Sequence, residues 1–190
     1  MIDSPKNGQR ELLAIVGIAF LPFLMAIVLF IGFPSDEIPD ETVNEGSLII
    51  PPIQLAALNT AGLEADGKWW LIHAVEDKCN EECRNVLFLT RQSRKALGKN
   101  AARVRRIAVS GNELSASFLQ LIESEHKSLS LVVNKQVIDA FATSIEPEEI
   151  GNYVFLVDPL GNVMMYYTPA KIGKPLLKDL RHLLRISRIG

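Results

Sequence analysis

Residues 68–98 read KWWLIHAVEDKCNEECRNVLFLTRQSRKALG, and this stretch decides the fold. Its opening, KWWLIHAV, is short, apolar and unbroken, the pattern of a strand buried on both faces. A helix is predicted from about Glu81 to Leu97. Val86, Leu89, Thr90, Ser93 and Leu97 make its inner stripe, and Arg84, Arg91, Arg94 and Lys95 lie mostly outside it. Gly98 supplies a stop. Both cysteines of the chain, Cys79 and Cys83, fall at the turn between strand and helix.

Toward the C-terminus, VRRIAV (104–109) reads as a second strand and LSASFLQLIES (114–124) as a helix with Leu114, Phe118, Leu121 and Ile122 on one face. LSLVV (129–133) is a short apolar run, followed by a helical pattern over 134–142. In NYVFLVDPLGNVMMYY (152–167), two apolar runs flank Asp158-Pro159-Leu160-Gly161. Asp first, Pro second and Gly fourth fit a type I turn, so this is a hairpin. A last helix starts near Pro175, with Leu176, Leu177, Leu180, Leu183 and Leu184 on one face and Lys178, Arg181, His182, Arg185 and Arg188 on the other. A β-α-β unit feeding a ββα unit is an α/β arrangement of the thioredoxin-like plan.

Toward the N-terminus, GSLIIPPIQL (46–55) is apolar and extended, because Pro51-Pro52 excludes a helix. PSDEIPDET (34–42) is a polar, Pro-containing linker. Before it, LLAIVGIAFLPFLMAIVLFIGF (12–33) carries no charge and no polar face. About 20 such residues cross a bilayer as a helix, and Pro22 is tolerated there. The run exceeds a signal-peptide h-region and ends in Gly32-Phe33-Pro34 rather than a small-residue cleavage site, which favours an uncleaved anchor.

Lys6 and Arg10 precede the span, and no base follows it until Lys68, so the N-terminus is expected in the cytoplasm. In a bacterium the rest then lies in the periplasm, on the outer side of the inner (cytoplasmic) membrane, where cysteine pairs become oxidised. The net charge of −2 conceals a division. Residues 68–190 carry 18 of the 20 bases and 13 of the 22 acids. Near-neutral charge argues against a nucleic-acid partner, and 48% hydrophobic content against a disordered chain. Two cysteines exclude a disulfide-rich scaffold, and no Cys/His spacing fits a zinc finger. Nothing resembles a phosphate loop, a serine triad or a paired-carboxylate site.

An i, i+4 spacing puts Cys79 and Cys83 on one helix face, continuing the Val86–Thr90 stripe. Two thiols so placed can close a disulfide or clasp one soft cation such as Cu(I). A helix N-terminus lowers a thiol pKa, whereas Glu76, Asp77, Glu81 and Glu82 oppose a free thiolate and favour a bound cation.

This C-x-x-x-C at the first strand-to-helix turn resembles the SCO/SenC family, membrane-tethered thioredoxin-like proteins that help deliver copper to cytochrome c oxidase. GKWWLIHAVEDKC is similar to that family's Gly-Lys and apolar strand before its first cysteine, and YVFLVDPLGNV to its late hairpin. The resemblance covers roughly residues 46–187 and implies Cys79 and Cys83 as copper-binding thiols. The family's third ligand, a histidine shortly before the hairpin, has no counterpart between Ser144 and Asn152. The prolines that follow each family cysteine are replaced by Asn80 and Arg84. The resemblance therefore does not carry over a three-ligand copper centre, and two-coordinate Cu(I) stays open. The layout also resembles a smaller group of single-span proteins associated with bacterial cytochrome oxidase assembly that need not bind copper, and this is the preferred placement.

The expected organisation is a cytoplasmic tail (1–11), a transmembrane helix (12–33), a linker (34–45) and a thioredoxin-like domain (46–190) outside the membrane. The expected partner is a respiratory oxidase subunit or assembly factor, with Cys79 and Cys83 as redox pair or Cu(I) site and no other cofactor. The alternatives are a thiol-disulfide oxidoreductase and an interaction protein whose cysteines form only a structural disulfide. Among other residues, His73 reads as a core histidine before a ligand, His126 as a surface residue, and Met164 and Met165 as filling. Trp69 and Trp70 alternate faces. Arg91, Arg94, Lys95, Lys99, Arg103, Arg105 and Arg106 form a dense basic set, a solvated face by default and a docking patch for an acidic partner as the sharper reading.

Overall fold

In the computed structural model, residues 6–32, 43–58, 62–146 and 150–189 are described. The chain divides into two units between Val43 and Asn44, each treated by itself. The first holds α1 (Lys6–Gly32), which starts earlier than the apolar run because Lys6–Glu11 extend its N-terminus. Its Arg10–Val28 segment is long and apolar enough to cross a membrane, and none of it is buried by protein. Among the described residues no other helix meets that description. The expected linker falls mostly in residues 33–42, outside the described residues.

The second unit is built on one six-stranded sheet of order β1-β6-β5-β2-β3-β4. Strands β2 (Trp69–Val75), β3 (Val104–Ser110) and β4 (Leu129–Val133) run parallel, as their helical connections require. In the hairpin of β5 (Val154–Val157) and β6 (Asn162–Tyr167), β5 pairs antiparallel with β2, and β1 (Ser47–Gln54) completes that edge antiparallel to β6. The β1–β6 register shifts between Leu48 and Ile53, where Pro51 and Pro52 lack the N–H needed for a ladder bond. Asp158 closes the hairpin, its Oδ1 accepting from Leu160 N and Asn162 N, both at 2.9 Å.

Helix α2 (Glu81–Lys95), helix α3 (Ala116–Glu125) and helix α5 (Lys174–Ile186) share one face of the sheet, and α4 (Lys135–Thr143) covers the other. Two successive right-handed crossovers, β2 to β3 and β3 to β4, put α2 and α3 on the same side. The α4 face packs Trp70, Ile72, Ile107, Val109, Phe141 and Phe155, with Phe141 and Phe155 ring centroids 4.1 Å apart. The α2 and α5 face packs Trp69, Leu71, Val86, Leu156, Leu176, Leu180 and Leu184. Both tryptophans are thus buried, on opposite faces.

Two expectations are corrected by this packing. Leu87, absent from the predicted α2 stripe, is fully buried because α3 flanks α2 and widens its buried arc. His126, expected on the surface, is 3% exposed: the α3 C-terminus turns inward, with Leu129 N donating to His126 O at 2.7 Å to enter β4. Asp179 lies on the buried side of α5, 5% exposed. Its carboxylate accepts from Glu45 N and Gly46 N, each at 2.9 Å, and from the Tyr167 hydroxyl at 2.9 Å. It fixes the start of the domain to the last helix, and burial together with this carboxylate pushes the Tyr167 phenol pKa well up.

Candidate functional site

Strand β2 ends at Val75 in the middle of the sheet, and the chain turns outward through residues 76–80 into α2. Asn80 is the N-cap, its side chain accepting from Cys83 N at 2.8 Å. Cys79 therefore lies one residue before the cap and Cys83 on the third helical residue. The two are not both on the helix, as their spacing alone suggested. They still meet, because the cap brings their Cα atoms to 5.2 Å, and they are joined as a disulfide.

The two sulfurs have unlike surroundings. Cys83 is 2% exposed and packs with Val75, Leu87, Ala108, Phe118, Ile122 and Leu129. Cys79 is half-buried on the edge of that cluster. Ser115 N donates to Asp77 O at 2.9 Å, tying the cysteine loop to the start of α3. On the other side the 150–153 turn approaches: Asn152 N donates to Ala74 O at 2.9 Å, and Asn152 Nδ2 donates to Glu82 Oε2 at 3.0 Å. Sequence reasoning missed this role. Asn152 adopts φ 64°, which asparagine tolerates better than most residues, so the Gly151-Asn152 pair before a strand is the signal. A β-carbon on Gly151 would stand 2.9 Å from Glu76 Oε1, so the turn lies against the Glu76 side chain of the cysteine loop.

At the C-terminal ends of β2 and β3, Val75, Glu76, Asp77, Ser110, Asn112 and Lys135 line a cleft of about 300 Å³ that includes neither cysteine. This is the end of a parallel sheet at which α/β proteins bind ligands. His73, on the α2 face of β2, is buried with neither ring nitrogen in a hydrogen bond of normal geometry. Burial lowers its pKa to about 3, against a small opposing effect of Asn152. It is a neutral core histidine. His126 is likewise held low, at about 4, by burial and then by Arg106 and Arg91.

Among the described residues no three His, Cys, Asp or Glu side chains come together as a metal-holding group. Of the stretch 144–152, where the resemblance places a histidine, residues 147–149 lie outside the described residues, and the sequence has no histidine there. Among the described residues no third donor joins the two sulfurs in a metal-holding group, so they do not form a three-donor copper centre.

A half-exposed and a buried cysteine at the first strand-to-helix turn of a βαβ–ββα sheet define a thioredoxin-like protein. The family model described as transmembrane-like, thioredoxin-like, C-terminal domain matches residues 69–187, and the chain belongs to that family. Its structural neighbours include Sco1/SenC proteins and thiol-disulfide oxidoreductases. Apo Sco1 from Thermus thermophilus, solved in solution, is 18% identical, covers 76% of this chain and 99% of that one, and has a TM-score of 0.54. Yeast Sco1 with copper bound is 13% identical, over 64% of this chain and 80% of that one, with a TM-score of 0.52. At these identities the likeness is one of fold. No curated protein matches the chain.

Proposed function

We propose that this chain is a membrane-anchored thioredoxin-like accessory factor for cytochrome c oxidase assembly whose Cys79–Cys83 pair cycles between disulfide and dithiol. In this reading, residues 1–11 are cytoplasmic, 12–33 span the inner membrane, 34–45 link, and 46–190 act in the periplasm. The observation that carries it is the asymmetry of the pair, Cys79 half-buried before the helix cap and Cys83 packed beneath it.

That asymmetry sets the order of events. A thiolate of a partner dithiol attacks Cys79 Sγ, the accessible sulfur. The S–S bond breaks, and Cys83 Sγ leaves as a thiolate that the α2 N-terminus stabilises before it takes a proton. The partner's second thiol, losing its proton, attacks the mixed disulfide and releases Cys79. The partner gains a disulfide, and this chain gains two electrons and two protons. The reverse sequence oxidises the pair again.

The Sco relatives solved with copper support a second use of the reduced pair, as a carrier of copper cargo. Two thiolates suit soft Cu(I), and Cys79 and Cys83 would hold it without a third protein donor. If the pair only stapled the loop, its potential would lie below about −300 mV, as structural disulfides do. The test is the midpoint potential of the full chain in detergent micelles: a value above about −300 mV is expected, and a lower one overturns the exchange reading. A Cys79→Ser, Cys83→Ser double variant should reduce oxidase activity in the host. Full activity would leave a non-catalytic interaction protein.

A further inference from the structure

The basic set read from the sequence does not form one face. Arg103 donates to the carbonyls of Leu184 and Ser187 at 2.7 and 2.9 Å, closing the end of α5. Arg105 pairs with Asp66 at 3.4 Å. Arg106, in the middle of β3, is 1% exposed beneath α2. Its Nη2 donates to Leu87 O at 2.8 Å, and Nε and Nη2 reach the Thr90 hydroxyl at 3.2 and 3.1 Å.

Its remaining nitrogen, Nη1, is buried without a hydrogen-bond partner. So is Nε of Arg91, whose Nη1 bonds the Glu125 carbonyl. Leaving such buried donors unpaired costs the full desolvation of the group, and more when it is charged. Both residues line one pocket of about 270 Å³ between α2 and the α3–β4 turn. Arg106 forms its buried wall, Arg91 and Arg94 its half-buried sides, and Lys95 and Lys127 its exposed rim. Glu125 is the one carboxylate there, and among the described residues none of the five cations has an ion-pair partner.

We propose that this pocket binds a phosphate-class oxyanion, which takes the guanidinium of Arg106 at its buried wall, that of Arg91 at its side, and Lys95 and Lys127 at its mouth. Guanidinium forks match oxyanion geometry, and five cations against one carboxylate are matched better by a dianion than by a single carboxylate. Burial, then Arg91 and Arg94, hold the Arg106 pKa down at about 10, so it is still charged at neutral pH and its repulsion with the other arginines is relieved by an anion. The anion is either a soluble phosphate ester or a lipid headgroup phosphate.

The test is calorimetric titration of the full chain, in uncharged detergent micelles, with inorganic pyrophosphate at constant ionic strength. Saturable one-to-one binding is expected, and the Lys95→Gln, Lys127→Gln double variant should weaken it about tenfold. Arg106→Gln should abolish it. Should Arg106→Gln fail to fold, the exposed lysine pair decides. No saturable binding, equal heats from chloride, or unchanged affinity in the lysine variant would each overturn the site. Repeating the titration in phosphatidylcholine nanodiscs with and without phosphatidic acid separates the sources. Loss of pyrophosphate affinity with phosphatidic acid assigns the headgroup, and unchanged affinity assigns a soluble ester.

Discussion

A dithiol that cycles must leave the domain folded when its disulfide opens. Cys79 and Cys83 are only 4 apart in sequence, so the bond closes a very short loop. Loop-closure entropy for such a ring gives a stabilisation of about 2 kcal/mol. The reduced thiols lose little else. Cys83 stays among Val75, Leu87, Phe118 and Ile122, and Asn80 still caps α2 through Cys83 N. Reduction should therefore lower global stability by about 2 kcal/mol and leave the sheet intact. Amide hydrogen exchange of the full chain in micelles measures this directly. Ile72, Ile107 and Leu156 sit in the centre of the sheet and exchange by global opening. Their exchange should quicken roughly 30-fold in reductant. An acceleration beyond about a thousandfold would show that the fold depends on the bond, which refutes a cycling pair. No acceleration would refute the loop-entropy reasoning.

Asp179→Ala strips the acceptor from two backbone amides and the Tyr167 hydroxyl, so denaturant unfolding should show a loss of roughly 2–5 kcal/mol, and a loss under about 1 would contradict the assigned role. Asn80→Ala should cost about 1 kcal/mol and speed exchange of the Cys83 amide about fivefold, with Asn80→Ser restoring protection. His73 stays neutral in the fold, with a pKa of about 3 against an ordinary 6.5. The unfolded chain therefore binds its proton first, and the stability this group contributes, full above about pH 6.5, should be lost as pH drops toward 3 by at most about 1.4 kcal/mol per pH unit, in addition to the like contribution of His126 down to about pH 4. His73→Leu should reduce that slope and leave the part due to His126, and an unchanged slope would place the titrating group elsewhere.

The hairpin was legible because Asp158, Pro159 and Gly161 each favour a backbone geometry by themselves. The helices were legible because apolar residues recur at helical period. Arg106 was not legible, since a charged residue in a strand reads as exposed unless the neighbouring helix is known to supply Thr90 and the Leu87 carbonyl. Nor was the burial of Asp179 legible, because two of its donors come from Glu45 and Gly46, far away in the chain, and the third from Tyr167 in β6.

The sequence by itself therefore determined the apolar N-terminal segment, the βαβ–ββα order and the position of the cysteine pair at the first turn. Each follows from local composition and period, which need no partner in space. Tertiary structure decided which cysteine is buried, that Asn152 and Gly151 close over the loop, and that two arginines end with unpaired donors at one pocket. Those outcomes depend on which groups distant stretches bring into contact, and burial changes what a charge or a thiol can do.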